Sequence, residues 1–285
     1  MKNTRLPAFL GLIILLFSPL QISAQKTAFL PYTARLDAEQ MAIVQQLSQD
    51  KSSFRTQLVT LAPDLLDQMQ LRLNLFPDVD IIVDYFDIGN TGISMRSWAG
   101  KNPEFMTTAA FVIDQGQLMG HVNSLLGNFN ILPLGRDGLH LIIEVEESAF
   151  PECGDIHDHK HQHEAEERPS ARVDDRGEYS QSASMMDECN IRIVVAYTPA
   201  ASAQVAPTRM TQIIQSGVML ANTAHANSNV TQRLELAYLY ATNDAESDDS
   251  VDDVNDLQDD DDGRWDEIHN LRNIYDGDMV GLVTS

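Results

Sequence analysis

Ile191-Arg192-Ile193-Val194-Val195-Ala196-Tyr197 is the stretch on which the fold turns. A single charged side chain interrupts an otherwise apolar run. A near-continuous apolar strand belongs in a sheet covered on both faces, which is the usual condition of parallel sheets. The period then changes. Met210, Ile213, Ile214, Gly217, Val218, Ala221 and Ala224 fall on one helical stripe, and Pro207 suits a first turn, so a helix is expected to about Asn227. Leu234, Leu236, Tyr238 and Tyr240 alternate as a second strand. Strand, helix and strand in this order predict a right-handed β-α-β unit with parallel strands.

Beyond this unit, Asp262 is placed to cap a helix bearing Trp265, Ile268, Arg272 and Tyr275, with Gly277 to end it. Met279 to Val283 is another apolar strand, read as a central one, so the sheet is expected to be incomplete at Ser285. Residues 248–263 read as an acidic loop. Carboxylate oxygens in that number can hold calcium, or can simply be a solvated surface. Asp260, Asp262 and Gly263 echo a calcium-binding helix-loop-helix, but Gln258 and His269 stand where that motif needs its first and last ligands.

Upstream of Phe150 the pattern is of short strands. Gln25 to Tyr32 is an extended start. Leu36 to Gln49 reads as a helix with Asp37 as cap and Gln40 three residues on. Met69, Leu71, Leu73 and Leu75 alternate with polar residues, as in a half-buried strand. Further strands are expected at Asp80 to Ile88, Ile93 to Trp98, Thr107 to Ile113, Gln117 to Asn123, Asn128 to Leu134 and Leu139 to Val145. Asn90-Thr91-Gly92, Asp114-Gln115-Gly116 and Gly127 supply turns. Regular short strands of this kind indicate an antiparallel meander or sandwich. The fold class expected overall is α+β: an antiparallel β-rich segment followed by part of an α/β domain.

Residues 1–24 have the form of a secretory signal peptide: Lys2 and Arg5 at the start, an apolar run from Ala8 to Leu20, and Ile22-Ser23-Ala24 before Gln25. The apolar run is short for a membrane span. The expected location is therefore outside the cytoplasm, extracellular or periplasmic, with no stable membrane insertion. A formal charge of −23 excludes nucleic acid as an expected partner, because phosphate binding needs Lys and Arg to displace counterions. The divisions expected are 1–24 signal, 25–150 β-rich segment, 151–188 junction and linker, and 189–285 α/β portion.

The junction carries the chemistry. Pro151-Glu152-Cys153-Gly154-Asp155 is followed by His157, His159, His161 and His163, and the linker through Asp187 is polar and exposed in character. Arg168, Arg172 and Arg176 are candidate sites for an activating protease within residues 164–188. A thiolate is a strong zinc ligand, so Cys153 ahead of a second domain can act as a latch on a catalytic zinc. It can equally pair with Cys189 in a disulfide or remain a passive thiol. The four alternating histidines form a weak candidate for a transition-metal cluster, or a solvated linker. His163-Glu164-Ala165-Glu166-Glu167 fails as a His-Glu-x-x-His motif because Glu167 stands at the second His. His121, His140, His225 and His269 are read as structural or surface residues.

In this order the motifs resemble the secreted reprolysin-like (metzincin) zinc metalloproteases, including the bacterial peptidyl-Asp type. Ile191 to Ala200 is similar to the family's opening strand. Ala221-Asn222-Thr223-Ala224-His225-Ala226-Asn227-Ser228, Arg233-Leu234-Glu235-Leu236, Asp266 to Arg272 and Asp278-Met279-Val280 follow in the family's order. Ser97-Trp98-Ala99-Gly100, Phe129 to Gly135 and His140 to Glu147 are similar to its propeptide. The resemblance implies a zymogen that hydrolyses protein or peptide substrates, with Pro151-Glu152-Cys153-Gly154 as an inhibitory zinc-binding switch. It also implies a His-Glu-x-x-His-x-x-Gly-x-x-His zinc run, which these 285 residues lack, so the zinc site is expected beyond Ser285 and the chain as given is expected to be inactive. The competing expectation is a non-enzymatic exported protein whose β-segment inhibits a protease or sequesters metal.

Overall fold

The structure, a computed structural model, describes residues 26–89, 91–92, 94–135, 138–150, 190–205, 209–247 and 249–285. Nine strands form the first sheet: β1 (Phe29–Pro31), β2 (Ser53–Leu61), β3 (Gln70–Phe76), β4 (Val79–Tyr85), β5 (Arg96–Asn102), β6 (Thr107–Asp114), β7 (Gln117–Ser124), β8 (Gly127–Pro133) and β9 (Leu139–Val145). Strands β3 to β9 are a plain meander, and the order then continues β9-β2-β1. The two end strands meet. Ala28 N donates to Arg72 O at 2.9 Å, Arg72 N donates to Lys26 O at 3.2 Å, and Phe29 N donates to Asn74 Oδ1 at 3.1 Å. The sheet is thus rolled into a barrel whose seam is a short parallel contact, which covers part of the edge of each end strand.

The expected meander is present, with adjustments. β2 was not expected: its Arg55, Thr56, Gln57 and Thr60 hide the alternation, yet it joins β9 to β1 along its length. The strand expected at Ile93 to Trp98 runs instead over Arg96–Asn102, so Gly100 lies inside it. The reason is aromatic cover. Trp98 faces Phe111 across the β5–β6 pair with ring centroids 5.7 Å apart, and Phe111 in turn faces Gly120 on β7. A Cβ on Gly100 would lie 2.3 Å from the Trp98 ring, and one on Gly120 would lie 2.3 Å from the Phe111 ring. Each aromatic fills the space a side chain would take, which compensates for glycine in a strand.

Leu71, Leu73, Leu75, Ile81, Phe111, Leu118, Phe129 and Ile131 fill the barrel and are fully buried. Helix α1 (Ala38–Gln49) lies outside, with the expected Asp37–Gln40 capping box, and its Ile43, Val44 and Leu47 cover Leu139, Leu141 and Ile143 of β9. Both faces of β9 are therefore buried, and the other face carries His140. Its Nε2 accepts from Leu118 N at 2.9 Å, and its Nδ1 donates to Gly138 O at 2.9 Å. The ladder between β7 and β8 ends at Gly120 and Ile131, so the imidazole replaces a missing strand acceptor for Leu118.

The second sheet has the order β11-β10-β12, formed by β10 (Asn190–Tyr197), β11 (Arg233–Ala241) and β12 (Met279–Val283), all parallel. The expected β-α-β unit is present. Helix α3 (Met210–Asn227) packs Met210, Ile214 and Val218 on one face of the sheet. Helix α5 (Asp266–Ile274) covers Val194 and Ala196 on the other, through Trp265, Ile268 and Leu271. Among the described residues β10 lies at the centre, because it pairs with both β11 and β12. A short helix α2 (Pro199–Gln204) also follows β10, capped by Thr198 and opened by Pro199. The Thr-Pro pair is its sequence signal.

Asn222 ties α3 to the sheet. It is fully buried, its Nδ2 donates to Leu234 O at 2.8 Å, and its Oδ1 accepts from Leu234 N at 2.7 Å. One side chain thus satisfies both backbone polar groups of a single residue, Leu234, at the start of β11. Asn222→Leu is expected to cost about 2 kcal/mol, since two partly buried backbone groups lose their partners; the shift in urea midpoint measures it.

The opposite side of α3 rests on the outside of the barrel. Ile213, Met219, Leu220 and Ala226 meet Ile88, Ala99, Ala110, Val112 and Met119. Gln212 donates to Gln117 O, and Arg209 pairs with Asp114 at 2.8 Å. Helix α3 is consequently a shared layer between the two sheets.

Candidate functional site

The site residues read from sequence, Cys153, His157, His159, His161, His163 and Cys189, lie outside the described residues, as do the signal segment, the linker, Asn90 of the expected Asn90-Thr91-Gly92 turn and Pro207. The described chain brackets them. It leaves the barrel after Phe150, beyond a short 3-10 turn at Glu147–Ala149, and re-enters directly at Asn190, the first residue of the central strand β10.

The acidic segment is not a loop. Helix α4 (Ser250–Gln258) occupies most of it, capped by Asp249, whose Oδ1 accepts from Val251 N at 2.8 Å. Asp252 and Asp253 lie in its first turn, where the helix dipole favours negative charge. Several of these carboxylates make local contacts. Asp253 accepts from Ser247 N at 2.8 Å, and Arg264 pairs with Asp256 and reaches Asp253 at 3.8 Å. Asp262 does not cap α5; its Oδ1 accepts from Arg264 N, while Trp265 takes the cap position in a left-handed conformation. Carboxylates distributed over caps, turns and an arginine do not converge as calcium requires, so among the described residues the acidic loop read from sequence is largely a capped helix with no calcium cage.

Among the described residues no three of His, Cys, Asp and Glu converge as a metal site. Each described histidine has its own partner. His121 Nδ1 meets Asn130 Oδ1 at 2.7 Å, His225 Nδ1 meets Gln232 O at 3.0 Å, and His269 Nε2 meets Leu257 O at 2.8 Å. These described residues do not fit a zinc centre.

The carboxyl ends of the parallel strands hold a polar feature that the sequence does not signal. The chain crosses from β10 to β11 by way of α3, then returns on the other face to β12, so the sheet changes winding direction between β10 and β12. Open α/β sheets commonly bind ligands at that place. Here Glu246 fills it. Thr198 Oγ1 donates to Glu246 at 2.6 Å, and Ser285 N donates to it at 3.0 Å. Hydrogen bonds from Ser285 and then Thr198 hold the Glu246 carboxyl below its ordinary range. Thr198 is fully buried and also accepts from Ala201 N, so the carboxylate reaches the cap of α2 as well. The group is a clasp joining β10, α2 and the end of β12. A lone Glu in an acidic stretch carries no signal of this in sequence.

No family model matches the chain. The peptidyl-Asp metalloendopeptidase of Xanthomonas campestris pv. campestris is 27% identical over 201 residues, which cover 70% of this chain and 45% of that protein. The chain therefore spans less than half the length of that relative. A matched stretch of 201 residues in a chain of 285 has to run from the barrel across residues 151–189 into β10. The similarity relates the chain distantly to a metalloendopeptidase. No helix among the described residues is long and apolar enough to cross a membrane.

Proposed function

We propose that the chain is the latency-bearing part of an exported zinc metalloendopeptidase of metzincin type. In this reading residues 1–24 direct export, 25–150 form the propeptide, 151–188 hold the inhibitory cysteine and the cleavable linker, and 189–285 begin the catalytic domain. Cys153 would serve as a thiolate ligand to the zinc and keep it from supplying its hydrolytic chemistry, and a protease cutting within 164–188 would open the way to its release. The observation that carries the reading is the continuous similarity to a metalloendopeptidase through barrel, junction and β10. The parallel β11-β10-β12 order supports it, because an α/β catalytic domain starts from such a unit.

Peptide hydrolysis tests this. The purified chain with added zinc is expected to cleave no peptide, and to slow a metalloendopeptidase of the peptidyl-Asp type supplied in trans. Cys153→Ser is expected to weaken that inhibition at least tenfold, or about 1.4 kcal/mol. Zinc-dependent cleavage by the chain itself, or equal inhibition by the serine variant, overturns the proposal.

A further inference from the structure

We infer that the barrel and the β-α-β unit remain bound to each other after the chain between them is cut, and that the β4–β5 connection acts as a strap closing the outer edge of β11. The inference concerns association and does not depend on the metallopeptidase reading.

Among the described residues strand β11 pairs with β10 on one side only, so its other edge is a row of polar backbone groups that invites another strand. The barrel covers part of that edge. Leu236 N donates to Thr91 O at 3.0 Å, and Arg233 Nε donates to Ile88 O at 2.9 Å. Thr91 and Ile88 are both buried. Gly92 permits the approach: a Cβ there would lie 2.6 Å from Glu235 Cγ and 2.9 Å from Leu236 O, and its φ of +64° is one that side chains rarely adopt. Past the edge the same connection reaches α3. Gln215 Oε1 accepts from Met95 N at 3.2 Å, and Gln215 Nε2 donates to Ser94 Oγ at 3.4 Å.

The strap adjoins an apolar centre. Met219 is 1% exposed and Val112 is fully buried, and around them lie the polar pairs Gln212–Gln117 and Arg209–Asp114. An apolar centre flanked by hydrogen-bonded and charged pairs is the anatomy of a lasting protein–protein interface. Gln212 is fully buried and Ser216 is 1% exposed, so separation would open a helix face already committed to contact. The partner that this barrel face fits is a β-α-β unit of this chain's own type, offering one helix and the adjoining strand edge together. Cutting the linker is then insufficient to free the second sheet, and release takes a further step that dislodges the strap.

The test uses the whole chain with a site for a sequence-specific protease placed between residues 164 and 187. After cutting, size exclusion with light scattering at micromolar concentration is expected to show one particle holding both pieces. Hydrogen exchange is expected to find the Leu236 amide as protected as in the uncut chain. Gly92→Val forces the strap off the edge and is expected to weaken the cut complex at least tenfold and to expose the Leu236 amide. Gln215→Ala, which leaves the strap's backbone free to fold, is expected to weaken the complex by roughly tenfold through the loss of two hydrogen bonds. Pieces of the unsubstituted chain that elute apart while each keeps its circular dichroism overturn the inference. Binding and Leu236 protection unchanged in both variants overturn the role of the strap.

Discussion

Trp98→Ala is expected to lower the unfolding free energy of the barrel by about 3–5 kcal/mol, the range found when a large buried aromatic is truncated. Three losses combine at this position. The ring is 1% exposed and fills barrel interior beside Phe111. It also covers Gly100, which has no side chain of its own to keep water from the strand. Its Nε1 donates to Gln68 O at 2.8 Å, and that carbonyl would lose its partner. Trp98→Phe keeps most of the cover and loses the hydrogen bond, so it is expected to cost clearly less. Urea unfolding followed by circular dichroism decides the matter, and a loss under about 1 kcal/mol for the alanine variant would refute the account.

Acid is expected to weaken the barrel through His140. Burial lowers its imidazole from the ordinary 6.5 to about 4. The direction follows from proton counts. Between those two values the unfolded chain holds a proton on this residue and the folded chain does not, so falling pH favours unfolding. The contribution is fully present above pH 6.5, declines at about 1.4 kcal/mol per unit, and is lost by about pH 4, for a total of about 3 kcal/mol. Protonation would also turn Nε2 into a donor facing the Leu118 N–H. His121, lowered by burial as well, acts in the same direction. His140→Gln retains an acceptor without a titration in this range. Its stability measured from pH 7 to 4 is expected to fall less than that of the unsubstituted chain by that amount, and parallel curves would contradict the assignment.

Alternation made most of the barrel legible. β3 and β6 to β9 announce themselves because one face is apolar and turns of Gly, Asn or Asp separate them. The β-α-β order from Ile191 was legible for a related reason: its period changes from continuous to 3.6 and back. β2 escaped because its polar side chains lie where α1 and salt bridges partner them, as Arg55 does with Glu144. Helix α4 escaped because its carboxylates dominate the composition, although Asp249 is a good cap. Closure of the barrel could not be read, since the seam rests on backbone groups of a few residues and on Asn74. For the candidate site, residue chemistry singled out Cys153 and its neighbouring histidines, which the described structure does not include. Glu246 is the reverse case, visible only once two distant strand ends meet beside it.

The position of β10 has a consequence for the order of assembly. Every strand of the barrel comes from residues preceding Phe150, and their pairings are mostly between sequence neighbours. β10, by contrast, needs β12, whose residues follow it by about eighty positions and are made well after the barrel. Local pairings form fast and distant ones slowly. A ribosome releasing this chain therefore delivers a finished barrel before the second sheet has its third strand. When α3 emerges, the wall formed by Ala110, Val112 and Met119 is already standing, and the helix can settle there while β12 is still being synthesised. The first half of the polypeptide is in this sense the mould in which the second half is cast.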